Sequence, residues 1–147
     1  MSHNATTDLR DADLHRANLS DAVLTEANLR GADIRDANLR KADLSGVILN
    51  EAKLLAANLH RVDLSDADLS DTYLFRADLR RANLSEANLH EASLRFTNLR
   101  EANLFGADLS DADLSVADLR NANFTGSTNI NLKGVNAKQI TPPEGYK

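Results

Sequence analysis

The feature that most constrains this 147-residue chain is a five-residue period that runs from Thr7 to Gly126 without an insertion or deletion. With Ala77-Asp78-Leu79-Arg80-Arg81 as the type unit and Leu79 as its centre, centres recur at every fifth position from Leu9 to Phe124, giving 24 pentads. Twenty-two centres are Leu; the others are Ile34 and Phe124. Two residues before each centre stands Ala, replaced only at Thr7, Val47, Val62, Thr72 and Thr97. Each pentad thus has an Ala slot, a mostly Asp or Asn position (the Asx slot), a centre, and two turn positions.

This period defeats the ordinary elements. A helix advances about 100° per residue, so a five-residue step would scatter the leucines around its circumference. Heptads average 3.5 residues between apolar positions, and in a continuous strand an odd step sends successive leucines to opposite faces. Within one pentad, however, the Ala slot and the centre lie two apart, so a short extended segment points both inward. A chain that bends in the same sense after every such segment winds into a coil with Ala and Leu inside, and its coils pair as parallel strands.

Tandem units such as Ala12-Asp13-Leu14-His15-Arg16 and Ala82-Asn83-Leu84-Ser85-Glu86 resemble the pentapeptide-repeat family. The resemblance implies an all-β fold, a right-handed quadrilateral parallel β-helix (solenoid). Four pentads form each coil, residues 20 apart stack, and the 24 pentads make six coils, rising to seven with the segment that follows. At about 4.8 Å between strands the rod is roughly 30 Å long. The expected organisation is an N-terminal extension over 1–6, the repeat over 7–126, a three-residue insertion with two shifted pentads over 127–139, and a tail or cap over 140–147. Pro142-Pro143 suits such a cap, because proline cannot continue a ladder.

Composition adds exclusions. The net charge of −5 argues against direct nucleic-acid binding. Cysteine is absent, which removes disulfides and thiolate chemistry and agrees with a reducing compartment. No stretch reads as a signal peptide or a membrane span, so a cytoplasmic protein without membrane contact is expected. His3, His15, His60 and His90 are scattered, no nucleophile stands beside a base, and no phosphate loop occurs. An enzyme, a cofactor or a metal site is therefore not expected; the acidic corner lacks a closed cage for Ca²⁺.

Stacking at 20 residues sorts the exterior into four faces. The face centred on Leu9 through Leu109 has a net charge of −6, with Asp8, Asp11, Glu51, Asp68, Asp71, Glu91, Asp108 and Asp111 against Arg10 and Arg30. Its neighbour, centred on Leu24 through Phe124, carries Glu26, Asp43, Asp63, Asp66 and Glu86 and no base. The face centred on Leu19 through Leu119 presents Arg40, Lys41, Arg61, Arg80, Arg81, Arg100 and Arg120 against four acids. The last face, centred on Leu14 through Leu114, holds an apolar group of Leu55, Ala56, Tyr73, Phe75, Phe96 and Val116 flanked by Lys53, Arg76 and Arg95. Aromatic residues beside arginine match interface composition.

Three partner surfaces follow: an acidic one, a basic one and an apolar patch. The reading is a rigid charged rod offered to a protein partner. Duplicated repeats in salt water would tolerate the charged columns without any partner. The family resemblance implies an alternative, a DNA mimic that engages a type II topoisomerase such as DNA gyrase. The basic face, the Leu-dominated centres and the lack of a contact loop count against it. A homodimer is also expected, by way of the C-terminal end, where Phe124, Ile130, Leu132, Val135 and Ile140 gather apolar surface while Met1 to Thr6 offer little.

Overall fold

The computed structural model describes residues 6–135. Parallel bridges join each Asx-slot residue to the one 20 positions on, in an unbroken series from Asp8↔Asn28 to Asp108↔Thr128. Four pentads therefore complete one turn of a four-sided parallel β-helix. Only one residue per pentad is bridged on each side, because a segment three residues long between turns has no room for more.

Where Asp or Asn fills the Asx slot of an interior coil, every backbone N–H of the pentad has a destination. The centre donates to the next coil, as Leu69 N–H does to Asn88 O (2.8 Å), and Asn88 N–H returns the bond to Ala67 O (2.9 Å). The second turn residue also donates onward, Asp71 N–H to His90 O (2.9 Å). The next Ala-slot N–H closes the turn, as Thr72 does to Leu69 O (3.3 Å). The first turn residue alone is left over, and its N–H is taken by the Asx side chain two residues back, as Asp68 Oδ1 accepts from Ser70 N–H (3.1 Å). Asp and Asn dominate that slot because their short acceptor reaches a donor the ladder cannot use.

The second turn residue has positive φ in every pentad, from Asp11 (54°) to Asn121 (59°), with glycine at Gly31, Gly46, Gly106 and Gly126. A β-turn whose third residue is left-handed folds the chain through each corner in the same sense. Ala-slot and centre side chains fill the interior: Leu69 and Ala67 are buried beside Leu49 and Leu89. Thr72 and Thr97 also sit in that interior, each hydroxyl donating to the carbonyl of the preceding centre (2.6 Å).

After Gly126 the ladder continues for two residues. Ser127 occupies an Ala slot, its hydroxyl donating to Phe124 O, and Thr128 bridges Asp108. The register breaks at Asn129, which takes a left-handed turn early (φ 56°). A pentad centred on Leu132 follows, with its own Asx bond from Lys133 N–H to Asn131 (3.1 Å) and Gly134 at the corner (φ 80°). The three residues read as an insertion thus lie partly in the ladder, because Ser127 and Thr128 meet its inner-slot and bridging requirements. The second shifted pentad from Asn136 onward, the tail at 140–147 and the first five residues lie outside the described residues.

Candidate functional surfaces

The sorting of charge by face takes physical form in where each side chain is held. The acids divide in two. Asp63, Asp68 and Asp108, all half-buried in the Asx slot, accept from the N–H of Ser65, Ser70 and Ser110, and Asp63 and Asp68 from the serine hydroxyls also (2.7 Å each). Those bonds hold the Asp108 carboxyl below its usual range, its main-chain bond from Ser110 first among the causes. Asp11, Glu51, Asp66, Asp71, Glu86, Glu91 and Asp111 stand instead at the exposed second turn position. Glu51 is met by Arg30 (2.6 Å) and Glu91 by His90 (3.2 Å). The displayed acidic surface is thus the corner column; the Asx-slot acids serve the turns.

On the basic face a local rule decides which cations are free. Where an Asp precedes the centre and Arg follows it, the guanidinium folds back on the carboxylate: Asp8–Arg10, Asp33–Arg35, Asp78–Arg80 and Asp118–Arg120 all pair this way. These forks hold Asp8 and Asp33 at a pKa of about 2, side-chain bonding to Arg10 and Arg35 being the leading cause. Where Asn fills the slot no such fork forms, and Arg40 and Arg100, behind Asn38 and Asn98, make no ion pair among the described residues, nor do Lys41 and Arg61. Arg81 is paired with Glu101 (2.7 Å). Of the seven basic residues, Arg80, Arg81 and Arg120 are neutralised and the other four present charge. The Asp-or-Asn choice carried that signal in the sequence.

The apolar patch is assembled on its face. Phe75 and Phe96 meet edge to face, ring centroids 5.3 Å apart and planes at 64°. Arg76 lies over Phe75 (5.3 Å to the centroid) and Arg95 over Phe96 (5.9 Å), within cation–π range. Tyr73 and Val116 are each 56% exposed, and Leu55 is exposed beside them. This face also abandons the Asx rule, with Lys53, Tyr73 and Ser93 in three successive slots. The N–H groups of Leu55, Phe75 and Arg95 accordingly make no hydrogen bond among the described residues. Val23, Ile48 and Phe105, which the sequence reading passed over, are exposed singly on the two acidic faces.

Among the described residues no acid or histidine cluster could hold a metal ion, and no helix is long and apolar enough to cross a membrane.

The sequence pattern described as pentapeptide repeats (8 copies) matches residues 7–46, 37–74, 67–105 and 97–136. Among solved structures, HetL is a pentapeptide repeat protein involved in heterocyst differentiation regulation from the cyanobacterium Nostoc sp. strain PCC 7120. It is 37% identical over 83% of this chain and 62% of its own, with a TM-score of 0.41. The chain therefore spans less than two thirds of HetL's length. A pentapeptide repeat protein from the Arabidopsis thaliana thylakoid lumen is 31% identical over 74% of this chain and 68% of its own, TM-score 0.46. QnrB1, a plasmid-mediated fluoroquinolone resistance protein, in a trypsin-treated form, is 16% identical over 99% of this chain and 88% of its own, TM-score 0.49. No curated protein matches the sequence.

Proposed function

The chain belongs to the pentapeptide-repeat family, and from that premise we propose that it is a non-enzymatic interaction module, a right-handed rod of six to seven coils in the cytoplasm that binds a protein partner through its apolar–arginine face. The observation that carries this reading is the Phe75–Phe96 pair with Arg76 and Arg95 over its rings. Phe96 and Val116 sit at left-handed backbone positions, where a bulky or β-branched side chain is strained and a polar or glycine residue is favoured. Three neighbouring pentads give up the bond that stabilises their turns, leaving main-chain donors in the same patch. Aromatic anchors rimmed by arginine are the composition of interface centres.

The test is a capture from native lysate run in parallel with wild type, Phe75→Ser/Phe96→Ser, and a corner variant carrying Glu51→Gln, Asp71→Asn, Glu91→Gln and Asp111→Asn. The proposal expects a partner retained by the wild type and the corner variant and lost by the double mutant. Retention by the double mutant overturns it.

The exposed acidic corner favours a second reading, duplex mimicry toward a type II topoisomerase such as DNA gyrase. It predicts inhibition of DNA supercoiling at micromolar protein, weakened by the corner variant and by salt. An unaffected supercoiling reaction at high protein concentration removes it.

A further inference from the structure

On the basic face lies an opening of about 220 Å³ lined by His60, Arg80, Arg81, Arg100 and Glu101. Its cations are unequal. Arg80 is held by Asp78 through Nε (2.8 Å) and Nη2 (2.7 Å), and Arg81 by Glu101 (2.7 Å). Arg100 follows Asn98, which accepts its main-chain N–H but offers no charge. Its Nε is closed off from solvent and has no hydrogen-bond partner among the described residues. A guanidinium donor that is both dry and unmatched is a defect unless something supplies an acceptor. Arg40 and Arg61, which make no ion pair among the described residues, add positive charge close enough to act on His60.

We propose that this opening is a binding site for a phosphate-type oxyanion, received by Arg100 and His60. The spare guanidinium hydrogens of Arg80 and Arg81 complete the set. Several N–H donors of fixed geometry converging on one small space suit a tetrahedral anion with many acceptor sites better than a planar carboxylate. Glu101 does not repel the anion strongly, since Arg81 already engages it.

His60 reports on occupancy. Burial first, and then the charges of Arg80, Arg40 and Arg61, push its pKa below the ordinary value against the pull of Asp78. Arg81, Arg100 and Glu101 are the other charged groups on the opening. A bound dianion reverses that balance, so phosphate binding and protonation of His60 support each other.

The experiment is an NMR titration of the full chain with inorganic phosphate, against chloride at matched ionic strength, following the His60 ring with His15 and His90 as internal references. The expected result is a saturable shift confined to His60, with its pKa raised in phosphate. Asn98→Asp hands Arg100 a neighbouring carboxylate, as Asp78 does for Arg80, and should weaken binding about tenfold or more without removing a cation. Arg100→Gln should do the same, and Arg35→Gln on another face should not. A phosphoserine peptide run alongside distinguishes sources: tighter binding than phosphate assigns the site to a phosphorylated chain, equal binding to free phosphate. No saturation up to about 50 mM phosphate, or equal binding in wild type and Arg100→Gln, overturns the proposal. Thermal melts confirm that the variants are folded, and Arg100→Gln decides alone if Asn98→Asp is not.

Discussion

At the scale of single residues, the second turn position sets the constraint, because an L-residue held there carries left-handed strain of about 1–2 kcal/mol. Val116 (φ 61°) is the β-branched case and stands mostly in solvent. Val116→Gly should therefore stabilise the fold, raising Tm by about 2–4 °C for a gain near 1 kcal/mol. Gly126→Val, which imposes the same strain at φ 72°, should lower it. Calorimetry on the pair checks the sign.

His60 sets a pH dependence. Its pKa in the folded protein lies below the ordinary 6.5, so the unfolded chain binds the proton more readily. Stability is full above 6.5 and falls as pH drops through that value toward the lower folded pKa. His60→Gln should flatten the melting temperature between about pH 7 and 5. Asp8 and Asp33, with pKa about 2, act lower: their contribution is present above the usual 3.8 and is lost as pH falls toward 2.

At the scale of the pentad, stability comes from interior centres and from Asx side chains linked between coils. Asn123 donates to Asn103 Oδ1 (3.0 Å), Asn103 to Asn83 (3.2 Å) and Asn83 to Asp63 (3.0 Å). Asn103→Ala interrupts this chain and frees the Phe105 N–H, which Asn103 accepts at 3.2 Å. The expected loss is about 1–3 kcal/mol, read from urea unfolding. Leu69, fully buried, gives the larger effect: Leu69→Ala should cost about 2–5 kcal/mol and Leu69→Asp should abolish the fold. Glu51→Gln at an exposed corner should change stability by less than about 0.5 kcal/mol. Equal tolerance of Leu69→Asp and Glu51→Gln in far-UV circular dichroism would reject the register.

At the scale of the whole molecule, the two ends differ. Phe124, expected to widen an exposed C-terminal surface, is fully buried, Leu132 joins the buried core, and Ile130 and Val135 pack against that core. In the first coil Leu9, Leu14, Leu19 and Leu24 are only partly buried, and among the described residues that coil's strands are paired on one side. Self-association through an end therefore favours the first coil, since copies meeting there would cover both leucines and unpaired edge groups. Sedimentation equilibrium should show a dimer that Leu14→Lys with Leu19→Lys dissociates and Phe75→Ser with Phe96→Ser leaves intact. A monomeric wild type ends this expectation, and a dimer lost only in the phenylalanine variant moves the contact to the side of the rod.

Reading the sequence alone was enough for a coil, because a five-residue period with two inward positions puts the Ala slots and centres inside and the residues at each turn outside. Stacking at 20, which the family resemblance implied, placed Phe75 beside Phe96 and sorted the charged columns. The tertiary structure decided which charges are available, although the Asp-or-Asn choice before each centre marked part of the answer in the sequence. Asp68 and Glu51 count alike toward one acidic face in the sequence, yet one is held by Ser70 and the other projects from a left-handed corner. Arg80 and Arg100 occupy identical positions, yet a carboxylate in the preceding slot folds the first back and its absence leaves the second with a buried, unmatched donor. The fold of Ser127 and Thr128 into the ladder was equally hidden, because a hydroxyl can replace Ala there by bonding the preceding carbonyl. Periodicity encodes direction, inward or outward; the pairing of polar groups depends on distances between side chains that only the closed coil brings together.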